Sequence, residues 1–233
     1  MKTEFIYFDL DNTLLDHSAA EADAQQSIYQ HFPELQEVSM DKWLDTYKLI
    51  NHQLWLKYQR GEIDRYELQR SRFKDSMAQL GIPNDRSEEI GSTYMQVYRT
   101  FWKWIDGAEE ALIDVAGQYP VGFITNGFRE TQQSKIEFLD LNRFSDLFVI
   151  SEDVGVMKPH PKVFDVATER SSVNREQIVY VGDSYSSDIV GGQNAGWKTA
   201  WYTAFVDHIE EHQTADICFE EFPVLVDFLR NGK

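Results

Sequence analysis

Short runs of continuously apolar residues alternate with stretches of helical periodicity along most of this chain. Phe5 to Phe8 is aromatic and β-branched and stops at Asp9, with the turn-prone pair Asp11-Asn12 just behind. Val121 to Thr125 runs into Asn126-Gly127, Leu147 to Ile150 into Ser151-Glu152-Asp153, and Ile178 to Val181 into Gly182-Asp183-Ser184. Thr199 to Tyr202 makes a fifth run. Runs that are apolar throughout, rather than alternating, suit strands covered on both faces, as in a parallel sheet. Helical stretches near 107–118, 128–140, 161–171 and 188–195 fall between them. This alternation predicts an α/β fold built on a doubly wound parallel sheet.

One segment breaks the rhythm. From about His17 to Tyr98 there is helical periodicity and no convincing strand. Trp43, Tyr47, Ile50, Leu54 and Tyr58 step by three and four along one face. Leu68, Phe73, Met77 and Leu80 continue on a second helix, closed by Gly81-Ile82-Pro83. Residues 17–98 are therefore expected to form an all-helical insert, with residues 1–16 and 99–233 making the α/β core. The spacing places most of the aromatics Trp43, Tyr47, Trp55, Tyr58, Trp102 and Trp104 in the insert's own core.

Charge and composition narrow the function. The sequence of 233 residues carries a net charge of −17, which argues against a nucleic acid polymer, whose phosphates reward clustered Lys and Arg. It argues equally against an anionic membrane surface. A small anionic substrate stays open, because a metal ion can reverse the local field. The first apolar run is too short for a signal-peptide core or a membrane span. The single cysteine, Cys218, suits a reducing compartment, so a cytoplasmic protein is expected.

The polar residues with chemical potential all follow predicted strands, where ligands bind in doubly wound sheets. Asp9 and Asp11 are two carboxylates two residues apart; one could attack while the other handles a proton, or the pair could form an Asx-turn and helix cap. Thr125-Asn126-Gly127 offers a hydroxyl and backbone N–H groups to an anion, yet Asn-Gly is also a common tight turn. Lys158 precedes Pro159-His160-Pro161, a stiffened backbone that could aim a point charge or merely start a helix. His160 has no other His at ligand spacing and is read as part of this turn. Asp183 at a strand end is a hard-oxygen ligand suited to Mg²⁺, and Asp188 could ligate it or orient the ligands around it. Neither Gly-x-Gly-x-x-Gly after a strand nor a Walker sequence is present.

Together and in this order, Asp9-Leu10-Asp11-Asn12-Thr13, Thr125, Lys158 and Gly182-Asp183 through Asp188 resemble the haloacid dehalogenase superfamily of phosphatases. The resemblance covers essentially the whole chain, and it makes the helical segment similar to that family's C1-type cap. It implies Asp9 as nucleophile and Asp11 as general acid/base, with Thr125, Asn126 and Lys158 binding the phosphoryl group. It further implies Mg²⁺ held by Asp9, the Asp11 backbone carbonyl and Asp183, supported by Asp188. The stretches 51–61 with Arg72-Phe73, 124–128 and 149–156 are similar to the branch containing bacterial pyrimidine 5′-nucleotidases. On that likeness Asn51, Trp55 and Arg72 are expected to meet the leaving group, and the substrate is expected to be a small phosphomonoester of the nucleotide type. A phosphosugar or phosphoglycolate phosphatase, a dehalogenase, a mutase and a non-catalytic scaffold are the alternatives. A dehalogenase has no evident use for Asp11, and a decayed scaffold would be free to lose Asp9 or Lys158.

Overall fold

The computed structural model describes residues 2–231. The apolar runs become strands β1 (Phe5–Phe8), β2 (Val121–Thr125), β3 (Phe148–Ile150), β4 (Ile178–Gly182) and β5 (Lys198–Tyr202), joined by β6 (Ile217–Phe219). All neighbours pair in parallel in one six-stranded sheet, ordered β3-β2-β1-β4-β5-β6. The order reverses direction at β1, so β1 and β4 flank the switch point where a ligand crevice opens. β1, β2 and β4 are buried at every position, the cause of their unbroken apolar character.

Two compact units result: residues 1–16 with Lys103–Lys233, and His17–Trp102. In the second unit, α1 (His17–His31) packs on α4 (Ser87–Thr100), α2 (Met40–Gln59) on α3 (Arg65–Leu80), and α3 on α4. Ser39 and Asp64 cap α2 and α3 by accepting from the Lys42 and Glu67 N–H groups, and α3 closes at Gly81. The predicted stripe holds an aromatic cluster: the Tyr47 ring lies 5.0 Å from Phe73, which lies 5.3 Å from Tyr94. Trp43 is fully buried and donates through Nε1 to Gln25 Oε1 at 2.9 Å, so its indole N–H is satisfied.

The expected boundary at 98/99 falls inside α4, because Tyr98 stacks on Tyr94 and meets Trp102 edge-on. Trp104, expected among the insert's aromatics, belongs instead to the α/β unit, where Leu15 bridges to it.

The α/β unit continues through α5 (Ala108–Ala116), α6 (Arg129–Phe138), α7 (Ser151–Val154), α8 (Pro161–Ser171), α9 (Val190–Asn194) and α10 (Phe222–Asn231). β6, α7 and α10 were not among the expected elements. Helix near 188–195 begins two residues late, because Tyr185–Ile189 forms a wide helical turn with five-residue hydrogen bonds. On one sheet face Phe5, Tyr7 and Tyr180 pack with Phe164 of α8 and with Trp197. Tyr7 is locked there: its ring stacks 5.4 Å from Trp197 and its hydroxyl donates to the Ala167 carbonyl at 2.7 Å.

Gly122 sits directly across from Tyr7 in the ladder, and a Cβ there would lie 2.4 Å from the Tyr7 ring. A ring stacked and hydrogen-bonded cannot step aside without losing those contacts. Gly122→Ala is therefore expected to destabilise the α/β unit by about 1–3 kcal/mol, read as a lower urea midpoint with an unchanged slope.

Candidate active site

β1 delivers the first two carboxylates. The Asp9 N–H still donates to Val181 at 2.9 Å, so Asp9 is the last residue held by the ladder. The chain then curls: the Leu10 carbonyl accepts from the N–H groups of Thr13, Leu14 and Leu15, and Asn12 adopts φ 57°. Asn tolerates that left-handed geometry because its short amide can bond locally. Leu10 is fully buried and anchors the curl between Asp9 and Asp11, and both carboxylates line one cavity. The cavity holds about 200 Å³ and is also lined by Thr125, Asn126, Lys158 and Asp183, with Asn12 and Ser187. The ends of β1, β2 and β4 and the turn carrying Lys158 thus meet at the switch point.

Lys158 is the hub. It is 2% exposed, and its Nζ lies 2.6 Å from Asp9 Oδ1, 2.8 Å from Asp188 Oδ1 and 2.7 Å from the Tyr180 hydroxyl, with the Ile124 carbonyl at 3.2 Å. Burial opposes the ammonium charge, but Asp188 and Asp9 outweigh it and hold the Lys158 pKa above its ordinary value. The backbone that carries Lys158 is clamped by Asn126, whose Oδ1 accepts from the Lys158 N–H at 2.8 Å and whose Nδ2 donates to the Lys158 carbonyl at 3.1 Å. The Asn126 side chain is thus engaged with the peptide backbone. His160 accepts from the Lys162 N–H and caps α8, in keeping with its reading as a turn residue.

Asp188 is fully buried and accepts from the Ser184 N–H at 3.0 Å and from Ser187 Oγ at 3.3 Å, besides Lys158. Gly182 makes this possible: a Cβ there would stand 2.5 Å from Asp188 Oδ2. Thr125 Oγ1 donates to Gln132 Oε1 at 3.1 Å. Asp11 is met by Lys135 Nζ at 2.6 Å and by Gln132 Nε2 at 3.3 Å. Gln132, Lys135 and Tyr180 were not anticipated. Gln132 and Lys135 lie within a helix read for its apolar positions, and Tyr180 lies within a strand read for its burial.

Burial, with the nearby Asp188 and Asp11 charges and against the pull of Lys158, raises the Asp9 carboxyl to about 7. Burial and the Asp188 and Asp9 charges likewise push Asp183 well above its usual range. Ionised together, Asp9, Asp11, Asp183 and Asp188 set four negative charges against the two positive charges of Lys158 and Lys135. Like charges 4 Å apart repel by about 4 kcal/mol at an effective dielectric of 20. Asp9, Asp183 and Asp188 each offer an oxygen within 4.8 Å of the others. An all-oxygen set with a formal surplus of two negative charges fits one hard divalent cation.

The leaving-group candidates belong to the helical unit. Asn51 and Trp55 stand one turn apart on α2, with Trp55 edge-on to Tyr58, and Arg72 is on α3. The Arg72 guanidinium rests over the Phe73 and Tyr94 rings at 5.4 and 5.2 Å, and its Nη2 donates to Met95 Sδ. Arg72 Nε, the Tyr47 hydroxyl and Asn51 Oδ1 are buried without a hydrogen-bond partner among the described residues. Buried polar atoms left in this state are costly and call for a ligand or water. No helix of the described residues is long and apolar enough to cross a membrane.

The chain is similar to several known proteins. Pyrimidine 5′-nucleotidase YjjG of Escherichia coli is 34% identical, with 88% of each chain covered. A glyceraldehyde 3-phosphate phosphatase of Pyrococcus furiosus is 31% identical over 98% of this chain and 93% of its own. The magnesium-bound crystal structure of the HAD-hydrolase YfnB from Bacillus subtilis superposes with a TM-score of 0.83 at 27% identity, covering 98% of this chain and 99% of that one. Residues 6–202 match the haloacid dehalogenase-like hydrolase family, and the chain belongs to it.

Proposed function

We propose that this phosphatase hydrolyses nucleoside 5′-monophosphates through an aspartyl-phosphate on Asp9. The observation that carries the reading is the pairing of Asp9 with a buried lysine at 2.6 Å while Asp11, on the same curl, lines the same cavity. Lys158 engages Asp9 Oδ1, and among the described residues no donor engages Oδ2. An unengaged carboxylate oxygen keeps its lone pairs for attack on phosphorus.

In the first half-reaction an Asp9 oxygen forms a bond to phosphorus, the ester P–O bond breaks, and the departing alkoxide takes a proton from Asp11. In the second, water attacks phosphorus, Asp11 takes its proton, and the Asp9–phosphate bond breaks to release inorganic phosphate. One residue can be acid in one half and base in the other. Lys158 places positive charge beside the transferring group, and the Thr125 hydroxyl and Asn126 backbone orient it. Asp9, the Asp11 carbonyl and Asp183 would hold Mg²⁺, with Asp188 behind them, and the ion would supply Lewis-acid charge neutralisation at the phosphoryl oxygens.

The nucleotide part of the reading is supported by the likeness to the E. coli enzyme and by the helical unit's orphaned polar atoms. Arg72 and Tyr47 can donate, and Asn51 can donate and accept, which suits the carbonyl and imide edge of a pyrimidine. The exposed thiol of Cys218 accords with a reducing, cytoplasmic setting. The relative from P. furiosus favours a sugar-phosphate phosphatase as the second reading.

Three measurements test this. Asp9→Asn is expected to lower kcat by on the order of 10³-fold or more, with folding checked by circular dichroism; full activity in that variant would refute the covalent route. With Mg²⁺ present, kcat/KM for UMP, dUMP and dTMP should exceed that for glyceraldehyde 3-phosphate and phosphoglycolate; a flat profile would remove the nucleotide assignment. Arg72→Met should reduce the preference for UMP over glyceraldehyde 3-phosphate by about tenfold or more, the worth of a hydrogen bond from a charged donor; an unchanged preference would take Arg72 out of the substrate site.

A further inference from the structure

α6 starts just beyond the Thr125-Asn126-Gly127 turn and carries Gln132 and Lys135, three residues apart and so on one helix face. Both side chains reach the same carboxylate. Lys135 Nζ donates to Asp11 Oδ1 at 2.6 Å, and Gln132 Nε2 is 3.3 Å from Asp11 Oδ2. The amide of Gln132 also accepts from Thr125 Oγ1 at 3.1 Å and lies 3.3 Å from the Asn126 carbonyl.

Lys135 is 2% exposed, whereas the Asp11 side chain keeps 24% of its surface open. Burying an ammonium is expensive, and an apolar side chain of similar length would serve packing as well or better. Stability therefore does not explain a lysine here. Its effect on Asp11 does. A donor on each carboxylate oxygen stops rotation about the Cβ–Cγ bond.

We propose that Lys135, assisted by Gln132, is a positioning residue that fixes the plane of the Asp11 carboxylate for its proton transfers. Gln132 couples that plane to Thr125, so the group handling the proton and the hydroxyl at the phosphoryl site are set by one helix. The inference rests on the acid/base role proposed for Asp11. A misplacement of about 1 Å in such a group can cost on the order of 10²-fold in rate.

The test uses the full-length enzyme with Mg²⁺ and two substrates, UMP and p-nitrophenyl phosphate. The nucleoside alkoxide needs a proton to leave, whereas nitrophenolate departs without one. kcat/KM reports only the steps through the first irreversible one, the transfer to Asp9. Lys135→Met should lower kcat/KM for UMP by about 10²-fold and that for p-nitrophenyl phosphate by at least about tenfold less, with KM for UMP nearly constant. Lys135→Arg should recover most of the loss, and Asp11→Asn should show the same dependence on the leaving group. Equal losses on both substrates in Lys135→Met, or a change confined to KM, would overturn the inference while leaving the reading of Asp11 intact. No leaving-group dependence in Asp11→Asn would overturn that reading and this inference with it. Should Lys135→Met not fold, Gln132→Leu is read in the same assay: a split of several-fold between the substrates supports the positioning role, and none overturns it.

Discussion

A buried ammonium must meet negative charge or lose its proton, and Lys158 meets Asp9 and Asp188 at 2.6 and 2.8 Å. Much of the α/β unit is arranged around that requirement. Tyr180 reaches up from the sheet core to offer its hydroxyl to the same nitrogen, and the Ile124 carbonyl at the end of β2 adds another acceptor. Gly182 clears the space that Asp188 occupies, and Asn126 grips the lysine's own peptide units. Three strand ends are thereby tied to one charge, which makes the position of Asp9 a property of the sheet and not of a mobile loop.

The same electrostatics account for how a strongly acidic protein can work on an anionic group. Two lysines neutralise part of the carboxylate cluster, and the remainder is the right size for a divalent cation. Burial raises Asp9 and Asp183 because their charge is only partly compensated by the protein itself. In the proposed reaction the site is completed from outside, by a cation and by a phosphoryl group. Each of the two paired carboxylates on the β1 curl also has its own buried lysine: Asp9 has Lys158, and Asp11 has Lys135. That division matches the different tasks proposed for them, attack for one and proton handling for the other.

The helical unit follows another rule. Its centre is aromatic and apolar, with Trp43, Tyr47, Phe73 and Tyr94 in mutual ring contact. Yet Arg72 lies against two of those rings and, with Tyr47 and Asn51, leaves buried polar atoms unpaired. An interior built only for stability would have filled these positions with carbon. In the proposed reading these unpaired atoms meet the leaving group.

What the sequence determined by itself was periodic or punctuated. Continuous apolar runs ending in Asp, Thr-Asn-Gly and Gly-Asp identified five strands and the edge along which the chemistry lies, because full burial on both faces leaves a local signature. Helical spacing likewise marked the insert and its buried aromatics Trp43, Tyr47 and Trp102, whereas Trp55 and Tyr58 are only half-buried and Trp104 belongs to the α/β unit. β6, α7 and α10 were missed, and nothing local marked the Asn126 side chain as the clamp on the Lys158 backbone. Only the tertiary structure could decide the partners of Asp11: Lys135 and Gln132 stand more than a hundred residues away, on a helix whose polar positions look like ordinary surface. The reason is physical. Local periodicity records whether a face is buried, but the sign of charge a buried side chain meets depends on which distant strand end folds against it.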